Sequence, residues 1–123
     1  MVLEATDLVP SKSRSPCFDS WDTEGVAYAC KCRQCHGPMA FSFKQIWDGA
    51  WRWRETFTPD EVAEIQAFFS LGPRSLALEG GWPSVSRHAC QGCGAVYIFY
   101  ADYHEYRNSV FRIAAQGLAT VRS

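Results

Sequence analysis

Two short stretches limit what this chain can fold into: Cys32-Arg33-Gln34-Cys35 and Cys90-Gln91-Gly92-Cys93. Two residues between cysteines let one tight turn aim both sulfurs at a single point. A glycine follows each pair closely, Gly37 after the first and Gly94 after the second. It is expected to supply the open backbone conformation that such a turn needs on leaving. Two turns of this kind, brought face to face, give four thiolates in a tetrahedron, the arrangement a structural zinc ion prefers. Cys32, Cys35, Cys90 and Cys93 are therefore the expected ligands. Cys30 is a rival, because in a regular strand it shares a face with Cys32. His36 and His88 are the other ligand-type side chains close to the pairs. The knuckle spacing favours the four cysteines.

The chain is 123 residues long, enough for one domain with a modest core. A hydrophobic fraction of 47% and an aromatic fraction of 15% point to a folded globular chain. A formal net charge of -1 gives no global attraction to nucleic acid or to an acidic membrane, so such binding would need a local basic patch. No apolar run approaches the ~20 residues of a membrane span. The first residues lack the charged-then-apolar pattern of a signal peptide. Six cysteines would allow three disulfides in a secreted domain. The paired spacing favours metal ligation in a reducing cytoplasm instead, with Cys17 a free thiol and a Cys17–Cys30 disulfide disfavoured.

Residues 1–25 read as a loosely ordered arm, polar and proline-punctuated from Pro10 to Pro16, then acidic and aromatic through Phe18, Trp21 and Glu24. It reads best as a strap over the core; a docking segment for a basic partner is the alternative. Residues 26–123 read as one α+β domain. Val26–Lys31 and Met39–Phe43 flank the first metal turn as strands, and Ser84–Ala89 and Ala95–Ala101 flank the second. Val96 to Tyr100 is apolar on both faces, which predicts a central strand. Val110–Ile113 predicts a third antiparallel strand running towards Val121, against a rival helix over 105–116. Asp102 to Tyr106 reads as a solvated turn. A helical insertion at about 44–72 separates the two hairpins. Phe43, Ile46, Trp47, Ala50 and Trp51 follow helical spacing, although Gly49 weakens it and Trp51 to Arg54 could alternate as an extended piece. Thr58-Pro59-Asp60-Glu61 is a capping box with proline at the first helical position, and Gly72-Pro73 reads as that helix's stop.

Two metal turns, each on a β-hairpin, resemble the zinc-ribbon family, through Cys32, Cys35, Cys90, Cys93 and the glycines Gly37 and Gly94. The likeness covers about a third of the chain, and zinc ribbons share a site rather than a function. Ribbon-type pairs commonly lie ~15–20 residues apart; here residues 36–89 intervene, so the resemblance implies an elaborated domain with its own core. As a small, aromatic-rich chain it is also similar to the immunity proteins that bacteria use against polymorphic toxins.

Four thiolates would close the metal shell, whereas a catalytic zinc keeps a position open for water. Deaminase-like zinc chemistry needs a His-x-Glu, which this sequence lacks. Both Cys-x-x-Cys pairs sit between strands, not at the helix start that a thioredoxin-like redox pair requires. No enzyme activity is expected. The leading expectation is a protein-binding module, with Trp21, Trp53, Trp82 and Tyr103 as anchor candidates because such residues dominate interface energetics. An immunity protein blocking one toxin is a specific form of it. The alternative is a nucleic-acid-binding ribbon, in which Trp51-Arg52-Trp53-Arg54 stacks bases and reaches phosphates, helped by Lys31, Arg33, Lys44 and Arg87.

Overall fold

The computed structural model describes residues 2–6, 11–12, 17–19, 25–71, 82–107 and 110–122. Its strands are β1 (Val2–Ala5), β2 (Ser11–Lys12), β3 (Cys17–Asp19), β4 (Val26–Lys31), β5 (Pro38–Ser42), β6 (Trp82–Ala89), β7 (Val96–Arg107) and β8 (Val110–Arg122). Helices α1 (Phe43–Thr56) and α2 (Pro59–Phe69) lie between β5 and β6. The fold is α+β, with strands paired antiparallel in two sheets. The larger runs β1-β8-β7-β6, with β3 also on β8; the smaller runs β2-β4-β5.

β7 explains why the sheets stack as they do. Successive side chains on a strand point to opposite faces. Tyr97, Phe99, Ala101 and Tyr103 join a core shared with Tyr28, Met39 and Phe41 of the smaller sheet. Ile98 and Tyr100 join a second core with Trp53, Phe57 and Ile65 of the helical insertion. The central strand is apolar on both faces because something covers each face. Phe41 stacks on Phe99 with ring centroids 4.7 Å apart in the first core, and Phe69 lies 5.4 Å from Tyr100 in the second.

Several expectations change. Residues 1–25 are not simply a loose arm: β1 pairs along the end of β8, β3 along its start, and β2 along β4. The side chain of Phe18 is not among those described, and Trp21 lies outside the described residues. Asp102 to Tyr106 is not a solvated turn. β7 continues to Arg107, pairing Asp102 with Ala114 and His104 with Arg112. Asp102 is fully buried and accepts a hydrogen bond from the Tyr100 hydroxyl at 3.1 Å. Of the 105–116 region, residues 105–107 and 110–116 are strand rather than helix, and both edges of β8 take part in pairing.

α1 starts at a capping box absent from the sequence reading. Gln45 N–H donates to Ser42 Oγ at 3.1 Å while Ser42 N–H donates to Gln45 Oε1 at 2.8 Å. Phe43 and Ile46 are buried and Trp47 half-buried, as the helical spacing implies. Trp51 to Arg54 is helical rather than extended, with one break at Arg52 (φ -137, ψ 26). α2 has the expected box, Thr58 N–H on Glu61 Oε1 at 2.9 Å and Glu61 N–H on Thr58 Oγ1 at 3.2 Å. Its stop comes earlier than Gly72-Pro73, at Ser70, which takes the left-handed conformation (φ 56). Leu71 N–H then closes the end on the Gln66 carbonyl at 3.0 Å. Gly72-Pro73 lies outside the described residues.

Candidate metal centre

The two cysteine pairs cap different sheets. Cys32 and Cys35 sit in the turn between β4 and β5, and Cys90 and Cys93 in the turn between β6 and β7. The turns are built alike. Cys32 N–H donates to the Gly37 carbonyl at 2.7 Å and Cys90 N–H to the Ala95 carbonyl at 2.8 Å. His36 N–H reaches the Cys32 carbonyl at 2.9 Å and Gly94 N–H the Cys90 carbonyl at 2.7 Å. Each turn leaves through one left-handed residue directly after its second cysteine: Gly94 (φ 79), as expected, but His36 (φ 62) rather than Gly37. Gly37 is needed for room instead, since a Cβ there would lie 3.2 Å from Cys35 Sγ. A Cβ on Gly92, in the opposite turn, would lie 3.3 Å from the same sulfur.

All four sulfurs lie within 4.8 Å of one another. The contacts that cross between turns are Cys32 Sγ to Cys93 Sγ at 3.7 Å and Cys35 Sγ to Cys90 Sγ at 3.5 Å. A tetrahedron with metal–sulfur bonds of about 2.3 Å has sulfur–sulfur edges of about 3.8 Å. The cluster therefore fits a metal ion with four sulfur ligands, and each of its cysteines is a free thiol. The first cysteine of each pair is buried and the second exposed, so the cluster straddles the surface. Backbone N–H groups solvate the sulfurs: Gln34 to Cys32 Sγ and Gly37 to Cys35 Sγ, both at 3.4 Å.

The electrostatics of the thiols alone are uneven. Burial disfavours a charged Cys32, but hydrogen bonds from the Tyr97 hydroxyl and from the knuckle backbone outweigh it and bring the thiol down to about 6. The Ala95 backbone favours a charged Cys93, yet desolvation and the three neighbouring sulfurs push it up to about 12. A charged Cys32 thus disfavours charge on Cys93. A divalent cation reverses that, because a coordinating thiol is deprotonated outright.

None of the rival ligands joins the cluster. Cys30 is a free, half-buried thiol against the first core, and burial followed by the nearby Cys32 pushes its thiol upward. His36 is exposed in its turn. His88 is buried edge-on against the Phe41 and Phe99 rings with Nε2 on Ser86 Oγ at 2.7 Å, and burial brings its ring down to about 4. The side chain of Cys17 is not among those described.

The anchor candidates separate sharply. Trp53 is 2% exposed and Tyr103 5%, so both are core residues. Trp82, at the start of β6, is 43% exposed. Arg52 and Arg54 are exposed, with the Arg54 guanidinium 4.6 Å over the Trp53 ring. Helical geometry turns Trp53 inward between two outward arginines, so alternating Trp and Arg does not present an interleaved surface. Elsewhere Lys44 pairs with Asp48 at 2.9 Å and Arg87 with Glu61 at 3.1 Å. The sequence reading missed Tyr97. No motif marks it, because its partner Cys32 is 65 positions away.

Among the described residues, no helix is long and apolar enough to cross a membrane. No family model, curated protein or solved structure matches the chain.

Proposed function

We propose that this is a non-enzymatic protein-binding module whose fold is clamped by a structural zinc ion on Cys32, Cys35, Cys90 and Cys93. The observation that carries the reading is the division of the cluster between sheets, with two ligands from each hairpin. A zinc ion there supplies cross-linking free energy rather than a reactive water, since four thiolates complete its shell. The free thiols of Cys30, Cys32, Cys35, Cys90 and Cys93 suit a reducing cytoplasm. Trp82 is a surface aromatic that supports a protein partner, being large, amphipathic and exposed at the start of the outer strand β6. Neutralisation of one cognate bacterial toxin is the specific form of this reading. The nucleic-acid alternative is weakened by the burial of Trp53, which removes a stacking indole from between Arg52 and Arg54.

The test is affinity purification of the tagged chain from its native cells at low and high salt. Bound protein is identified, and absorbance is checked for nucleic acid. One stoichiometric protein partner that survives high salt supports the module, and co-expression rescue from that partner's toxicity supports the immunity form. Nucleic acid that leaves as salt rises, with no protein partner, overturns it.

A further inference from the structure

The Tyr97 side chain is 1% exposed on the central strand β7, and its hydroxyl ends at the first metal turn. Arg33 N–H donates to that oxygen at 2.8 Å, and Cys32 Sγ lies 3.3 Å from it. A phenol has one proton to give. With the Arg33 amide occupying the acceptor side, the O–H is left to donate to sulfur. Cys32 is completely buried, so water does not solvate its charge, and the tyrosine hydroxyl takes that place. Among the described residues no other hydroxyl reaches a sulfur of the cluster.

Building on the metal centre proposed above, we propose that Tyr97 is a positioning residue for it. The hydroxyl holds the Cys32 sulfur as an oriented thiolate and thereby sets metal affinity and retention. The Cys32 turn belongs to the smaller sheet and Tyr97 to the larger, so the same hydrogen bond couples metal loading to the packing of one sheet on the other. Outer-sphere partners of this kind typically change metal affinity by ~10–100-fold when removed. A core tyrosine that merely parks its hydroxyl would leave the metal's ligand field untouched. That difference is measurable.

The experiment compares wild type, Tyr97→Phe and Tyr28→Phe, the last removing a different buried hydroxyl that bonds to β8 and not to the cluster. Metal-free, reduced protein is titrated with Co2+, and the sulfur-to-metal charge-transfer band is recorded. Zinc affinity is then measured against a chromophoric chelator. Y97F is expected to keep the absorption of a four-sulfur site with the charge-transfer band shifted, and to bind zinc ~10–100-fold more weakly. Y28F is expected to leave the band in place. Should metal-free Y97F fail to fold, the band is recorded on chain refolded in the presence of Co2+, with the same shift expected. A Y97F band that coincides with wild type overturns the positioning role, whatever the affinity, because the effect is then one of folding. A wild-type chain that binds neither metal overturns the metal centre itself, a separate and recognisable result.

Discussion

The hydroxyl of Tyr28, on β4 of the smaller sheet, donates to the Ile113 carbonyl of β8 at 3.0 Å and accepts from Ala115 N–H at 3.1 Å. On that side of β8, β3 pairs with residues 110–112 and β1 with residues 119–122. One side chain thus stands where a strand's backbone would, satisfying a donor and an acceptor in the gap. Buried backbone groups must find partners, and here the partner comes from the other sheet.

Tyr28→Phe keeps the ring and deletes the bridge, leaving both β8 groups to be satisfied elsewhere. The expected cost is about 1–3 kcal/mol in denaturant unfolding, with an unchanged Co2+ spectrum. A loss below the error of the measurement would mean that water replaces the hydroxyl without penalty.

Cys32→Ser and Cys90→Ser remove ligands from the buried side of the cluster. We expect loss of stoichiometric zinc by elemental analysis. Stability should fall by at least ~3 kcal/mol, a drop in Tm of ~10 °C or more for a domain of this size. A chelator that strips zinc from wild type should produce a comparable fall. Folded, metal-loaded serine variants would remove the four-cysteine assignment.

Trp53→Ala should cost ~3–5 kcal/mol, as large-to-small changes of buried aromatics do. Arg52→Ala and Arg54→Ala should each stay within ~0.5 kcal/mol, being surface changes. Under the protein-binding reading, Trp82→Ala weakens partner capture while Tm barely moves, and the double arginine variant captures normally. A large loss of nucleic-acid retention in that double variant would instead promote the alternative.

Gly117 of β8 pairs with Tyr100, and a Cβ on it would sit 2.8 Å from the Phe69 ring of α2. Gly117→Ala therefore pushes α2 off the larger sheet. The expected destabilisation is ~1–3 kcal/mol, and Phe69→Leu in the same chain should recover part of it. Additive losses in the double variant would show that the two positions do not clash.

Tyr100 predicts an alkaline limit. Burial, then the Asp102 carboxylate that accepts its hydroxyl, push its ionisation up to about 12 from the ordinary value of 10.0. A raised folded value means that the unfolded chain loses its proton first. The contribution is complete below pH 10 and is lost as pH rises towards 12. Unfolding free energy measured across this window should fall less steeply in Tyr100→Phe. Equal slopes would show that Tyr100 ionises alike in both states.

The cysteine cluster was legible because its information is local: two residues between cysteines describe a turn wherever the turn ends up. The same holds for the Thr58 cap and the helical face from Phe43 to Trp47, and for β7, whose unbroken apolar run required cover on both faces. Ser42 with Gln45 was equally local, but the strand expected over Met39–Phe43 took in the cap residue.

Other features depended on what packs against what. Trp-Arg alternation reads as a surface in a strand and as a half-buried stripe in a helix, and the second core selected the helix. Asp102 looked like turn chemistry until β8 arrived as its neighbour. Tyr28 and Tyr97 carry no mark in the sequence, since a tyrosine's hydroxyl acquires a role only from the backbone or sulfur that the fold brings to it. By itself the sequence determined which four cysteines pair in turns, their spacing and the fold class, because turns and periodicities are short-range. Only the tertiary structure decided that the clustered cysteines come from separate sheets, and which aromatics lie between those sheets, because burial belongs to the assembled layers and to no single segment.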